Sequence, residues 1–500
     1  MVNVAVIDDG VGFGIYSIPN IIRSVEITPH LIVKDVEVYN LFNASHGTIC
    51  ASIIKKYYPE AVLTSIKVLN DKSHKCIKEQ LIKAIEWCIE NDIRVVNLSL
   101  GTIDYRDSEI IRKVINRAYS RGIIIIAACN NKDIFTYPAS FTNVIGVKCC
   151  KTNTLKEGEY IFNLYSIDGI EITACSEHKL FKNNCDLEVT RRCNSYAAPM
   201  ITAKTCNIIS KFPNITLEMI KKELYKDSIN YKNDKIKINN CKNIDWINNV
   251  VILDEQEKIE KLKLPYINET KILKSIEDIN INNFDTLVLN SNTIKDYERM
   301  SSLIYKFEKE EKNFIFIDKK WNGKELESIY LNENIKFWHP LIINKFYQES
   351  KKGKKLDVPL IIIYGDIQES MLTILKSLIE KFKVDGYYAL GVSTEPIGIL
   401  CGLEYVPFSK NESLKIKNKI ELLYDVYDFD IMILGININK EDANIIEKIN
   451  ICLEPDKNIF INKIFLKKEK NIDEVLTITK NDDIDLFYKK ILKMFLGESE

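Results

Sequence analysis

Long apolar runs are missing from this 500-residue chain, and stretches such as Ile123 to Ala128 are far too short to cross a bilayer. An excess of either charge is missing too. With 69 Lys and Arg against 70 Asp and Glu, nothing favours nucleic acid or an acidic membrane as a partner. No Cys-x-x-Cys pair and no familiar zinc spacing occurs among the 13 cysteines. Unpaired thiols in that number suit a reducing compartment, where cysteines stay reduced. No dense acidic loop of the EF-hand type is present, so neither a metal nor another cofactor is expected. Because the sequence opens almost directly on an apolar strand pattern, no secretory signal is expected, and a cytoplasmic location is. Histidine is scarce, at five residues. His30, His74, His178 and His339 have no partner motif and are expected to be structural or surface residues.

Three short segments carry chemistry. They are Val4-Ala5-Val6-Ile7-Asp8-Asp9-Gly10, Ser45-His46-Gly47-Thr48-Ile49-Cys50-Ala51-Ser52, and Asn194-Ser195-Tyr196-Ala197-Ala198-Pro199. A serine hydroxyl is a poor nucleophile until an imidazole takes its proton. The imidazole in turn needs a carboxylate on its other nitrogen to fix the tautomer. Val2 to Ile7 predicts a buried parallel strand with Asp8 at its carboxyl end, where sites form in open α/β sheets. Small residues after His46 predict a closely packed helix, with Cys50 as packing. Ser195 is expected at a helix N-terminus, with Pro199 tolerated in its first turn.

Taken together and in this order, the segments resemble the subtilisin-like serine peptidases, the subtilase family, over roughly residues 1–230. The resemblance implies Ser195 as nucleophile, His46 as general base and acid, and Asp8 as the orienting carboxylate. Asp9 is given no catalytic role. Val95 to Gly101 resembles the family strand whose end pairs with an extended substrate, which points to Ser99, Leu100 and Gly101 as substrate-binding residues. Gly122 to Asn131 resembles the strand ending in the oxyanion-hole asparagine, here Asn130, a type of donor worth about 10²–10³ in turnover. Tyr137-Pro138-Ala139-Ser140 and Val144-Ile145-Gly146-Val147 continue the match. Two positions depart from the family: Cys129 and Cys193 stand where it has glycine. By resemblance both border the pocket for the side chain before the cut, so a narrowed pocket taking Gly, Ala or Ser is expected. An N-terminal prodomain of the kind secreted subtilisins carry is likewise not expected.

The rest of the chain turns to a different α/β pattern. A helix near 216–226 is expected to close the catalytic domain, and residues 231–247 to form a linker or irregular edge. Strands at Val250 to Leu253, Asp285 to Asn290 and Phe314 to Asp318, with charged helices between, predict a small Rossmann-like domain over 248–348. The run Ser350 to Lys355 is expected to mark the next boundary. Residues 358–500 then follow a P-loop-like outline of strand, turn and helix from Val358 to Thr373, with further parts at Gly391 to Pro396 and Asp430 to Gly435. Counted from Gly365, the phosphate-binding positions hold Ser370, Met371 and Leu372. With no lysine and no second glycine, nucleotide hydrolysis is not expected. This half loosely resembles accessory proteins of bacterial peptide-maturation systems.

The expected fold class is therefore α/β: a subtilisin-like parallel-sheet domain, a Rossmann-like domain and a degenerate P-loop-like domain. The expected function is cytoplasmic endopeptidase action through an acyl-enzyme, cutting the leader from the precursor of a ribosomally made peptide. Substrate capture or homo-oligomerisation is expected of the second half. Alternatives are an intracellular turnover protease and a non-catalytic peptide-binding scaffold.

Overall fold

The computed structural model describes residues 1–12, 14–16, 18–37, 44–70, 73, 75–233, 237–254, 269–273, 284–290, 297–317, 332–350, 353–365, 368–438, 442–461 and 481–496. The chain divides into two compact units, Met1–Cys241 with Glu327–Lys336, and Lys242–Leu326 with Phe337–Glu500. No helix among the described residues is long and apolar enough to cross a membrane.

The first unit is built on a nine-stranded sheet. Its strands are β1 (Asn3–Asp8), β2 (Ile21–Ile27), β3 (Val33–Asp35), β4 (Val62–Lys67), β5 (Val95–Leu98), β6 (Ile124–Ala128), β7 (Ile145–Cys149), β8 (Tyr160–Phe162) and β9 (Ile172–Ala174). They lie in the order β3-β2-β4-β1-β5-β6-β7-β9-β8. The run from β2 to β9 is parallel, and β3 and β8 close the edges antiparallel. Parallel strands covered on both faces read as continuous apolar runs, without alternation. Val4, Ala5, Val6 and Ile7 of β1 are accordingly all inaccessible, and β6 is buried throughout. A short hairpin of β10 (Lys179–Phe181) and β11 (Leu187–Val189) precedes the Ser195 segment.

Helices α1 (His46–Tyr57), α2 (Lys78–Glu90), α3 (Ser108–Ser120), α4 (Asn194–Lys211) and α5 (Leu217–Asp227) complete the unit. Helix α4 packs against α1 and against β5, β6 and β7. Ala197, Ala198 and Ala203 are fully buried on it, and their small side chains let it approach the sheet closely. The closing helix predicted near 216–226 is α5, capped by the Thr216 hydroxyl accepting from the Met219 N–H. Within the segment expected as a linker, Ile238 and Cys241 are buried. There Lys237 donates to the carbonyls of Asn332 and Ile335, and the N–H of Ile238 to Glu333.

The second unit holds two five-stranded sheets, all of whose pairings are parallel. One runs Glu269–Leu273, Asn249–Leu253, Thr286–Leu289, Asn313–Phe316, Phe337–Trp338. The other runs Glu404–Tyr405, Ala389–Ser393, Ile431–Asn437, Leu360–Gly365, Lys457–Phe460. The strands expected at 250–253, 285–290, 314–318 and 358–365 fall in these sheets, within a few residues at their ends. Between the strands ending at Leu253 and beginning at Thr286, where only charged helices were expected, Glu269–Leu273 is instead a strand paired in parallel with Asn249–Leu253. Residues 255–268 and 274–283, Asp318, the turn residues Asp366 and Ile367, Lys351, Lys352 and His74 lie outside the described residues.

Candidate active site

Asp8 ends the central strand β1 and is 1% exposed, while His46 is the first residue of α1. The His46 Nδ1 lies 2.8 Å from Oδ2 and 3.0 Å from Oδ1 of Asp8. With Nδ1 so engaged, Nε2 is left as the basic nitrogen. Asp9 serves differently: its carboxylate accepts from the backbone N–H of His46 at 3.0 Å and of Gly47 at 2.8 Å. It therefore satisfies orphan donors at the start of α1, helped by the Ser45 hydroxyl, which accepts from the Thr48 N–H at 3.1 Å. Gly47 is required by close approach, since a Cβ there would stand 2.6 Å from the Gly10 carbonyl oxygen.

Burial works against charge on His46, but contact with Cys50 and Asp8 outweighs it and the pKa is raised. The Cys50 thiol, fully buried, is itself pushed up and so stays protonated at neutral pH. Asp8 is then the group that supplies the favourable charge. Cys50 does more than fill space: its sulfur is 3.9 Å from His46 Nδ1 and 3.4 Å from Ser99 Oγ. Asp8, His46 and Cys50 form the one group of three or more close His, Cys, Asp or Glu side chains, of the types that can ligate a metal, among the described residues. Because Nδ1 is already bonded to Asp8, the arrangement is an acid–base pair with a thiol beside it.

Ser195 is the second residue of α4, and Cys193 caps the helix in an extended conformation (φ −161°, ψ 158°). Extended backbone suits any residue, so no left-handed turn demands glycine at 193. Pro199 corrects one expectation. It is the sixth helical residue, beyond the first turn, and its missing N–H deprives the Ser195 carbonyl of its intrahelical partner. Ser99 Oγ at 3.2 Å and Cys50 Sγ at 3.7 Å donate there instead. Asn97, fully buried in β5, extends the chain by donating to Ser99 Oγ at 3.3 Å and accepting from Thr202 Oγ1 at 2.9 Å. A lone amide inside the apolar run Val95 to Leu98 was the available sign of this network.

The residue after Ser195 also reaches the pair. Tyr196 stacks on His46 with ring centroids 5.1 Å apart and planes at 24°.

Asn130 follows β6. Its side-chain amide donates to Thr136 Oγ1 at 2.7 Å and to the Ile134 carbonyl at 3.1 Å, within its own loop. Asn194 joins that loop to α4: its Nδ2 donates to the Asn130 carbonyl at 2.6 Å and to Asp133 at 3.1 Å. Its Oδ1 accepts from the Cys149 N–H at 2.7 Å. Cys129 is buried with its thiol toward Ile134 and Thr136, and burial lifts its pKa to about 12. Cys193 is half-buried, as are Ser99 and Leu100, whereas Gly101 is exposed. A Cβ on Gly101 would meet the Tyr137 carbonyl at 2.7 Å, and Thr102 bridges Tyr137 antiparallel. Among the remaining histidines, His178 and His339 are buried and His30 is exposed.

A parallel sheet carrying an Asp–His pair at a strand end and a serine at a helix N-terminus defines a serine peptidase domain of the subtilase kind. Residues 1–242 match the model of the subtilase family, and this part of the chain belongs to it. Subtilisin DY of Bacillus licheniformis is 25% identical over 213 residues, covering 39% of this chain and 74% of that protein. The minor extracellular protease Epr of Bacillus subtilis is 34% identical over 115 residues, 20% of this chain and 17% of that protein. The epidermin leader peptide processing serine protease of Staphylococcus aureus shares 17% identity and a TM-score of 0.35, over 45% of this chain and 69% of that one.

Proposed function

We propose that the chain is a selective serine endopeptidase that cuts a peptide precursor, with Ser195 as nucleophile, His46 as general base and acid, and Asp8 holding the imidazole. The observation that carries the reading is the Asp8–His46 pair, set beside the N-terminus of the Ser195 helix. Ser195 Oγ attacks the scissile carbonyl while His46 Nε2 takes its proton. The same proton goes to the leaving amine, and water then releases the acyl group by the reverse roles. Negative charge on the former carbonyl oxygen is met by the Ser195 N–H, at the positive end of α4, and by the Asn130 amide. For that contact the amide exchanges its bonds to Ile134 and Thr136 for one to the oxyanion.

Ser99, Leu100 and Gly101 pair with substrate backbone, and Cys129 and Cys193 border the pocket for the residue before the cut. The substrate is the precursor of a ribosomally made peptide, cleaved between leader and core in the cytoplasm. Thiols at two glycine positions favour a small residue there, and the second unit, a Rossmann-like and a degenerate P-loop-like domain, captures the precursor or joins copies of the chain.

Fluorophosphonate labelling tests the core of the reading, because only an activated serine reacts. Labelling of the full chain, lost in Ser195→Ala, is expected. An unlabelled full chain overturns catalysis and leaves a peptide-binding scaffold. Cleavage of a co-encoded precursor, with casein left intact, separates processing from turnover.

A further inference from the structure

We propose that Tyr196 is a positioning residue that sets the proton affinity of His46 by laying its ring on the imidazole face, an inference that rests on His46 being the general base. The rings are stacked, 5.1 Å between centroids and 24° between planes. Tyr196 is 5% exposed, so the contact is made away from bulk water. The face of an aromatic ring carries the negative part of its quadrupole and attracts a cation. Imidazolium is such a cation, whereas neutral imidazole gains far less. A desolvated stack therefore favours the protonated ring.

Other groups act on the same imidazole from other directions, and they separate cleanly from the stack. Asp8, from the end of β1, holds Nδ1. Asp9, from the following turn, bonds the His46 backbone N–H. Cys50, one turn along α1, lies 3.9 Å from Nδ1. Tyr196 alone among these meets the ring face from α4. Around the tyrosine itself stand Cys50, Cys193 and the Arg191 guanidinium, whose positive charge opposes proton uptake nearby. Replacing Tyr196 leaves Asp8, Asp9 and Cys50 in place, so the change reports the ring.

The ring is held by its own backbone. The Tyr196 carbonyl accepts from His178 Nε2 at 2.9 Å, and Tyr57 OH lies 2.9 Å from His178 Nδ1. His178 is fully buried, and burial holds its pKa down at about 4, so it is neutral at physiological pH. A neutral imidazole has one N–H. A carbonyl at Nε2 fixes it there, and Nδ1 then accepts from the Tyr57 hydroxyl.

The test uses the full chain. Proton NMR of the histidine ring, assigned by its loss in His46→Gln, gives the His46 titration midpoint in wild type, Tyr196→Phe and Tyr196→Leu. The pH dependence of fluorophosphonate labelling gives the same midpoint through reactivity. Loss of the ring in Tyr196→Leu is expected to lower the midpoint by ~0.5–1.5 pH units, while Tyr196→Phe stays within ~0.3 of wild type. Labelling then persists to lower pH in the leucine variant. Should Tyr196→Leu fail to fold, Tyr196→Trp is read instead and raises the midpoint, since indole is the better cation acceptor. An unmoved midpoint in the leucine (or tryptophan) variant overturns the inference, as does a phenylalanine variant that shifts as far as leucine. A wild type that never labels defeats the general-base reading, and the NMR midpoints still decide the stacking.

Discussion

Asp8 and Asp9 are adjacent and chemically alike, yet their surroundings give them different work. One carboxylate grips the His46 ring, the other the backbone N–H groups that open α1. Asp8→Asn is expected to reduce turnover about 10⁴-fold with the fold intact, because the amide favours the wrong tautomer. Asp9→Ala is expected to cost about 1 kcal/mol of stability in chemical denaturation, the usual worth of a helix cap, and to change labelling much less. At the pocket, Cys193→Gly is expected to widen acceptance: in a peptide panel differing only before the cut, large residues gain relative to alanine. Fastest cleavage of aromatics by the unaltered chain contradicts a narrowed pocket. The motif singled out Asp8 over Asp9, but the task of Asp9 was hidden, since a cap depends on where the next helix begins in space. Cys50 was equally opaque. A small residue within a helix reads as packing, and only the approach of β1, β5 and α4 reveals what its thiol touches.

Within single elements, apolar continuity made β1 legible, and resemblance to the family did the same for β5, β6 and α5. The hairpin β10–β11 left no such signal, because Phe181, Leu187 and Val189 stay exposed in strands of three residues. The proline in α4 has a cost that Ser99, just beyond β5, and Cys50 of α1 offset. Ser99→Ala removes one of two donors to the part-buried Ser195 carbonyl, and a loss of about 1 kcal/mol, the usual worth of one hydrogen bond, is expected. Pro199→Ala restores the intrahelical N–H, so the two changes made together are expected to be less damaging than the sum of each alone. Urea denaturation of the single and double variants measures that coupling. Strict additivity means that the hydroxyl and the helix do not share the carbonyl.

For the molecule as a whole, the first unit is not a continuous stretch of sequence. Lys336 lies far beyond residue 242, yet its ammonium bonds Glu218 of α5 at 2.7 Å, with both side chains 4% exposed. It also bonds Tyr119 of α3 at 2.8 Å. Lys336→Met leaves a buried carboxylate without its cation, and a loss of about 3–5 kcal/mol is expected in thermal or chemical melting. Adding Glu218→Met is expected to recover much of it. Burial alone would raise the Glu218 pKa, but Lys336 and the Tyr119 hydroxyl prevail and lower it. Since the folded value lies below the unfolded one, the carboxylate's contribution is present above the ordinary glutamate range and drains away as pH falls through the folded value. Stability measured between about pH 5 and pH 3 should therefore drop less in Glu218→Gln than in wild type. The sequence gives no warning of this tie, because a lone lysine between Ile335 and Phe337 carries no pattern that pairs it with a carboxylate 118 residues away. Its consequence is one of timing. A ribosome that has finished residue 242 has made the Asp, His and Ser segments and every strand of their sheet, but not Lys336. The first unit is complete only after a further stretch of the second unit has been synthesised, so the emerging chain holds the proposed catalytic residues before it holds the tie between Lys336, α3 and α5.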